Sequence, residues 1–352
     1  MQLKKVSEQT IVITGATSGI GLTTARRAAR EGARLVLVAR NEAALKELTD
    51  EINVHGKQAV YVAADVADDA ALRGVAAVAA EEFGGFDTWV NNAGVSIYGK
   101  TEEISTEDMR RLFETNFWGV VQGSVIAAEF LKMGGGAIIN VGSVLSDRAI
   151  MYQSIYSASK HAVKGFTDAF RMELEAEKAP ISVTLLKPSA INTPYPEHAK
   201  NYAKREATLP PPVFAPDLVA EAILHCAATP ERDFTVGEGK LLASLGQLAP
   251  RLTDKVMEWG MADQQFKNQP KDADRPASLY ETQSSLRERG NYDGIVFEES
   301  LYQRAKLNPL VTSALLIGGA AAIATFFGRR RSALSAHDRQ LSEREMMQVG
   351  HS

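Results

Sequence analysis

Tyr156 and Lys160 stand four residues apart in the run YSASK (156–160), a spacing that puts both side chains on one face of a helix. A phenol with its ordinary pKa of ~10 is a poor base near neutrality. A neighbouring ammonium favours the tyrosinate, so the pair can take a proton from an alcohol or give one to a carbonyl oxygen. Thirteen residues upstream, Ser143 follows an apolar run, where its hydroxyl can hold the same substrate oxygen. Taken alone, Tyr-x-x-x-Lys on a helix also describes a snorkelling surface pair.

The run TGATSGIG (14–21) supplies a phosphate cradle. Gly15, Gly19 and Gly21 have the G-x-x-x-G-x-G spacing, with Thr17, Ser18 and Ile20 between them, directly after an apolar run and at the start of a helical pattern. Glycine serves such a loop in three ways: a tight turn, close approach of backbone to a pyrophosphate, and close packing of helix on strand. The helix N-terminus adds free N–H groups and the positive end of its dipole. At the end of the second apolar run, where an acid would accept from an adenosine ribose, the chain has Ala39 and Arg40. A guanidinium there suits the 2′-phosphate of NADP, so NADP(H) is favoured over NAD(H); a solvated arginine at a strand end is the plainer alternative. Asp65 and Val66 follow the third run, where a short acid can meet an adenine amino group or cap the next helix. In NNAG (91–94), Asn92, Ala93 and Gly94 end the fourth run, small enough for backbone to approach a cofactor and equally suited to a turn.

These residues need a scaffold, and the chain has one. Apolar runs at 11–14, 34–39, 59–63, 88–91, 137–141 and 181–186 read as strands buried on both faces. Helical patterns at 19–31, 41–54, 68–83 and 152–178 separate them, and a helix near 217–228 and a strand near 233–236 complete the series. The alternation predicts an α/β fold: a doubly wound parallel sheet of Rossmann type, helices on both faces, with a mostly helical C-terminal extension. The predicted divisions are a catalytic domain at 1–237, an amphipathic and polar extension at 238–306, an apolar helix at 307–328 and a polar tail at 329–352. A proline at Pro250 interrupts the amphipathic stretch 241–260, and the polar composition of 262–300 predicts irregular, partly disordered chain.

In their order and spacing TGATSGIG, NNAG, the asparagine of ETNFWG, the serine of NVGS, and YSASK resemble the short-chain dehydrogenase/reductase family over roughly residues 8–240. The resemblance implies a catalytic tetrad of Asn116, Ser143, Tyr156 and Lys160, with Asn116 kinking its helix and holding a water that links Lys160 to solvent. It implies hydride exchange between nicotinamide C4 and a carbonyl or alcohol, and a homo-oligomer. Pro188, Ile191 and Thr193 of KPSAINTPY match the segment beside the nicotinamide, Thr193 as the contact to its carboxamide. Two departures stand out: Ser189 replaces the usual glycine after Pro188, and Ser18 occupies a place where many NADP-using members carry a basic residue. The NADP preference therefore rests on Arg40.

With 39 Lys and Arg against 43 Asp and Glu, a formal net charge of -4 gives no argument for a nucleic-acid partner. The single cysteine, Cys226, fits a reducing compartment; no Cys/His cluster has metal-site spacing, and no signal peptide is expected. The loop after Thr193 should cover a small-molecule carbonyl or alcohol substrate, with Tyr152, Tyr195 and Phe214 as candidate lining. In 307–328 the apolar part, 310–327, would span about 27 Å as a helix, close to a bilayer core. Arginines 329–331 flank it, and Ala314, Gly318 and Ala322 form a small-residue stripe. Membrane association of a cytoplasmic catalytic domain follows as an expectation, against the alternative of a helix buried in a dimer interface. The other functional class open to the sequence is a nucleotide-sensing protein that binds NADP(H) without turnover.

Overall fold

The computed structural model describes residues 1–237, 249–272, 275–282 and 286–307. Contacts divide the chain into Met1–Ser300 and Leu301–Ser352, the second described here only as the helix Leu301–Leu307. The apolar run 307–328 therefore lies, but for its first residue, outside the described residues; among the described residues no helix is long and apolar enough to cross a membrane.

Seven parallel strands make the central sheet of the first unit: β1 (Thr10–Thr14), β2 (Arg34–Ala39), β3 (Ala59–Ala63), β4 (Thr88–Asn91), β5 (Gly136–Val141), β6 (Ile181–Pro188) and β7 (Asp233–Val236). Their order is β7-β6-β5-β4-β1-β2-β3. β1, β4 and β5 are buried along their whole length, which is why their sequences carry no polar alternation. The crossover helices are α1 (Gly19–Arg30), α2 (Glu42–Ile52), α3 (Asp69–Phe83), α4 (Thr106–Phe113), α5 (Gly119–Gly134), α6 (Ser154–Ala176) and α7 (Pro216–Ala228). Leu72 and Val75 of α3, Ile126 and Leu131 of α5, and Leu174 of α6 pack over Val12, Trp89 and Ile138. Ile11 and Ile13 alternate with Val12 and point to the opposite face, while α1 and α7 pack on each other.

A polar column crosses this apolar core. Asn91 and Asn140 are paired residues of β4 and β5, and Asn91 Nδ2 donates to Asn140 Oδ1 at 2.8 Å and to Ser124 Oγ at 3.0 Å. Trp89 Nε1 donates to Asn91 Oδ1 at 2.8 Å, and Asn140 Nδ2 to Thr167 Oγ1 at 3.0 Å. Each amide is buried and satisfied, as a low-dielectric interior requires.

Residues 249–300 fold onto the same unit. Helix α8 (Pro250–Gly260) starts at the proline that the sequence marks as a break: a residue without an N–H is tolerated at the first helical position. Phe266–Pro270 pairs antiparallel with Arg205–Ala207. Val296–Phe297 pairs with Val213–Phe214, which pairs with Ala190–Ile191 after β6. The stretch 262–300 is irregular over most of its described length, as its polarity suggests, but buried anchors hold it: Phe266 is 9% exposed and Leu279 fully buried.

Candidate active site

The strand order reverses between β1 and β4, and the crevice beyond their carboxyl ends is where an open α/β sheet takes a ligand. The glycine loop leaves β1 there. Gly15 has φ +69° and Gly19 φ +51°, backbone that favours glycine, and a Cβ on Gly21 would lie 2.1 Å from the Gly15 carbonyl oxygen. Thr14 Oγ1 accepts from the N–H groups of Asn92 and Ala93 at 2.9 and 3.0 Å, and Asn92 Nδ2 donates to Thr14 O at 2.9 Å. The ends of β1 and β4 are thus fastened together at the mouth of the crevice.

Two cavities open from it. The smaller, about 120 Å³, is lined by Gly15, Thr17, Ser18, Arg40, Asp65, Val66, Ala93 and Gly94. The larger, about 360 Å³, is lined by Ile20, Asn92, Gly94, Ser143, Tyr156, Lys160, Pro188, Ile191 and Thr193. Gly94 borders both. Of the residues singled out from sequence, Gly19, Gly21 and Asn116 lie behind these walls. The backbone cradle, the small residues at 93 and 94 and the basic group at 40 suit an elongated, phosphate-bearing ligand.

Tyr156 and Lys160 come from the first turns of α6, and Ser143 from the bend after β5. Tyr156 is 9% exposed; burial pushes its hydroxyl up to about 12, against hydrogen bonds from Tyr195 and Ser143 that lower it. Burial takes Lys160 the other way, to about 8. Its Nζ donates to Val141 O at 2.8 Å and lies 5.6 Å from the centre of the Tyr156 ring. Asn116, fully buried, sits in one π-helical turn (Glu114–Trp118) between α4 and α5. Its Oδ1 accepts from Val95 N–H at 2.8 Å, while its Nδ2 donates to Val95 O at 2.9 Å and to Ser159 Oγ at 3.3 Å. That widened turn aims a side-chain amide at a loop backbone. A Cβ at Gly94 would lie 3.4 Å from Asn116 Oδ1 and 3.9 Å from Lys160 Nζ, so a side chain there would contact both groups.

The larger cavity also holds residues that the sequence did not mark. Met257 of α8 and Met261 just beyond it line it with Leu209, Ile150 and Pro210 to Pro212. The buried face of an amphipathic helix, Thr253 and Met257, was the available signal. Tyr195 lines the cavity as expected, its hydroxyl within hydrogen-bonding distance of Ser96 Oγ at 2.7 Å and Gln153 Oε1 at 2.9 Å. Tyr152 and Phe214 do not; they pack on Phe266 and Phe297, apolar partners supplied by the extension. The serine at 189 is accommodated by Gly237, where a Cβ would come 2.1 Å from Ser189 Oγ. On the nucleotide side Asp65 pairs with Arg111, and His198, Ser278 and Thr282 close the smaller cavity.

The family profile described as short chain dehydrogenase matches residues 9–203. An uncharacterized oxidoreductase, YxnA, of Bacillus subtilis is 46% identical over 322 residues, 90% of each chain. The ketoacyl reductase HetN of a Nostoc species is 27% identical over 72% of this chain and 90% of its own. Among solved structures, an alcohol dehydrogenase of the archaeon Thermococcus sibiricus, complexed with 5-hydroxy-NADP, superposes with a TM-score of 0.57 at 28% identity, covering 65% of this chain and 94% of its own. A short-chain dehydrogenase/reductase of Burkholderia phymatum in complex with NAD gives 0.60 at 26% identity, covering 73% and 96%. A profile matched over more than half of the chain, together with a relative aligned nearly end to end, places this protein in the short-chain dehydrogenase/reductase family of oxidoreductases.

Proposed function

We propose that the protein moves a hydride between NADP(H) and an apolar carbonyl or secondary alcohol, with Tyr156 as the general acid and base. The observation that carries this reading is the convergence of Ser143, Tyr156 and Lys160 on one largely apolar cavity that also reaches Gly94 and Thr193. When bound, the nicotinamide would supply or accept the hydride at its C4, held by Ile20, Gly94, Pro188, Ile191 and Thr193. Ser143 Oγ steadies the substrate oxygen. Tyr156, protonated at neutrality in its buried setting, gives its proton to that oxygen during reduction. For the reverse reaction the ammonium of Lys160 draws the phenol toward tyrosinate.

Arg40 supports NADP over NAD, and Met257, Met261 and Leu209 support an apolar substrate. Turnover of NADPH against a panel of ketones and aldehydes, including lipid-like ones, tests the proposal. Loss of turnover in Tyr156→Phe with NADPH binding retained also separates it from a nucleotide sensor, whose behaviour would not depend on that hydroxyl. The composition of 307–328 supports membrane association of the full chain; recovery of all the protein in the supernatant of a high-speed spin without detergent would end that part of the reading.

A further inference from the structure

Two donors on the adenosine side of the crevice already have acceptors, and one segment brings both. Arg40 Nη1 donates to the carbonyl oxygens of Leu279 and Tyr280, each at 3.4 Å, and Nη2 to those of Ser278 and Glu281, the latter at 3.1 Å. The N–H of Gly19, the first residue of α1, donates to Arg287 O at 2.9 Å. Arg40 is the group that suits a 2′-phosphate, and Gly19 heads the helix whose N-terminus suits a pyrophosphate. Residues 278–281, the strap, thus carry carbonyl oxygens to Arg40, and Arg287 carries one to Gly19, the two places at which NADP would present phosphate.

Side chains specify this placement. Leu279 is buried among Val95, Ile97 and Leu112. Ser278 N–H donates to His198 O at 2.8 Å, Tyr280 Oη to Asp108 Oδ1 at 2.9 Å, and Arg111 Nε to Leu279 O at 3.1 Å. Farther along, Arg287 pairs with buried Glu197 at 2.6 Å, and Glu288 with Arg26 at 2.7 Å. Among the described residues, the hydrogen bonds to Arg40 from this segment run to neutral carbonyls, two of them at long range. A phosphate oxygen makes charge-assisted bonds of roughly twice the strength to the same guanidinium.

Resting on the dinucleotide reading of the crevice, we infer that the strap sets the choice between NADP(H) and NAD(H). A 2′-phosphate displaces residues 278–281 from Arg40, whereas a plain 2′-hydroxyl leaves them seated. NADP(H) binding therefore includes the work of loosening Leu279, and NAD(H) binding does not, so the strap acts through its different affinity for the two bound states.

The test uses the full chain and the Leu279→Ser variant, with dissociation constants for NADPH and NADH from titration of the reduced-nicotinamide fluorescence. Removing most of the Leu279 anchor should tighten NADPH about tenfold and change NADH less than about twofold. In the Arg40→Ala background the same substitution should no longer favour NADPH. On the wild type, NADPH should hasten chymotryptic cleavage after Tyr280 and NADH should not, a readout that stands even where Leu279→Ser misfolds. An unchanged NADPH-to-NADH ratio in Leu279→Ser overturns the inference, as does protection of the strap by NADPH. Failure of the wild type to bind either dinucleotide overturns the reading of the crevice and this inference with it.

Discussion

Burial moves Tyr156 and Lys160 in opposite directions, each toward its neutral form. A protonated phenol is ready to donate, so carbonyl reduction should hold a steady kcat/KM through neutrality, while alcohol oxidation should climb with pH; parallel profiles in the two directions would contradict the assignment. Tyr156→Phe should cost at least about a hundredfold in turnover, the scale of a lost general acid, with the NADPH dissociation constant little changed. Lys160 makes a stability argument as well. Its folded pKa, about 8, lies below the ordinary 10.5 of the unfolded chain, so the folded state binds protons less tightly. The resulting penalty is present in full below pH 8 and fades as pH rises toward 10.5, with a size on the order of 3 kcal/mol before the bond to Val141 is counted. Lys160→Met should therefore abolish turnover and raise Tm by several degrees at pH 7, with the gain shrinking by pH 10; a gain independent of pH would rule out this origin. The residue types and their spacing were readable in the sequence because chemistry restricts them to a few side chains. The shifts were not, since they depend on which loops close over α6.

Among the elements, α1, α2, α3, α6 and α7 were legible from apolar stripes at helical period, whereas α4 and α5 were not among the expected helices. The π-helical turn at Asn116 was not readable from periodicity, since the residue it gains turns the following apolar stripe by about 100° and breaks the single helical period; only the family resemblance implied a kink there. Asn116 nonetheless bridges the π-helical turn to the Val95 loop through a two-way backbone bond, so Asn116→Ala should lose roughly 2 kcal/mol in chemical denaturation and slacken the wall behind Lys160. The extension was the least legible element, since its polar composition gives no sign that Leu279 and Phe266 find buried seats on distant parts of the chain. Helix α8 puts Met257 into the larger cavity, and Met257→Ala should shift preference toward bulkier ketones by several-fold in kcat/KM at a stability loss of about 2 kcal/mol. Equal effects on small and bulky ketones would take Met257 out of the substrate wall.

At the scale of the molecule, the doubly wound sheet was legible from six apolar runs and their spacing, because parallel strands covered on both faces leave no polar alternation to confuse the pattern. The division of the chain was harder to see. Residues expected to form a separate polar segment belong to the contact unit Met1–Ser300, since the strand pairs they complete lie far away in sequence. Exposed Trp118, Val125 and Met172 on the π-turn, α5 and α6 leave apolar surface uncovered on the single chain, and by family resemblance a homo-oligomer would cover it. Light scattering on the purified protein should return a dimer or larger; a monomer at micromolar concentration would count against it. The buried amides of β4 and β5 bear on assembly of another kind. A slip of one residue between these strands would part Asn91 from Asn140, strand several polar atoms in the core, and carry Ser143 about 3.3 Å along the strand from the Asn92–Gly94 bend. A mispaired chain is therefore unstable as well as inactive, and the two asparagines act as a proofreading device that lets only correctly registered molecules persist.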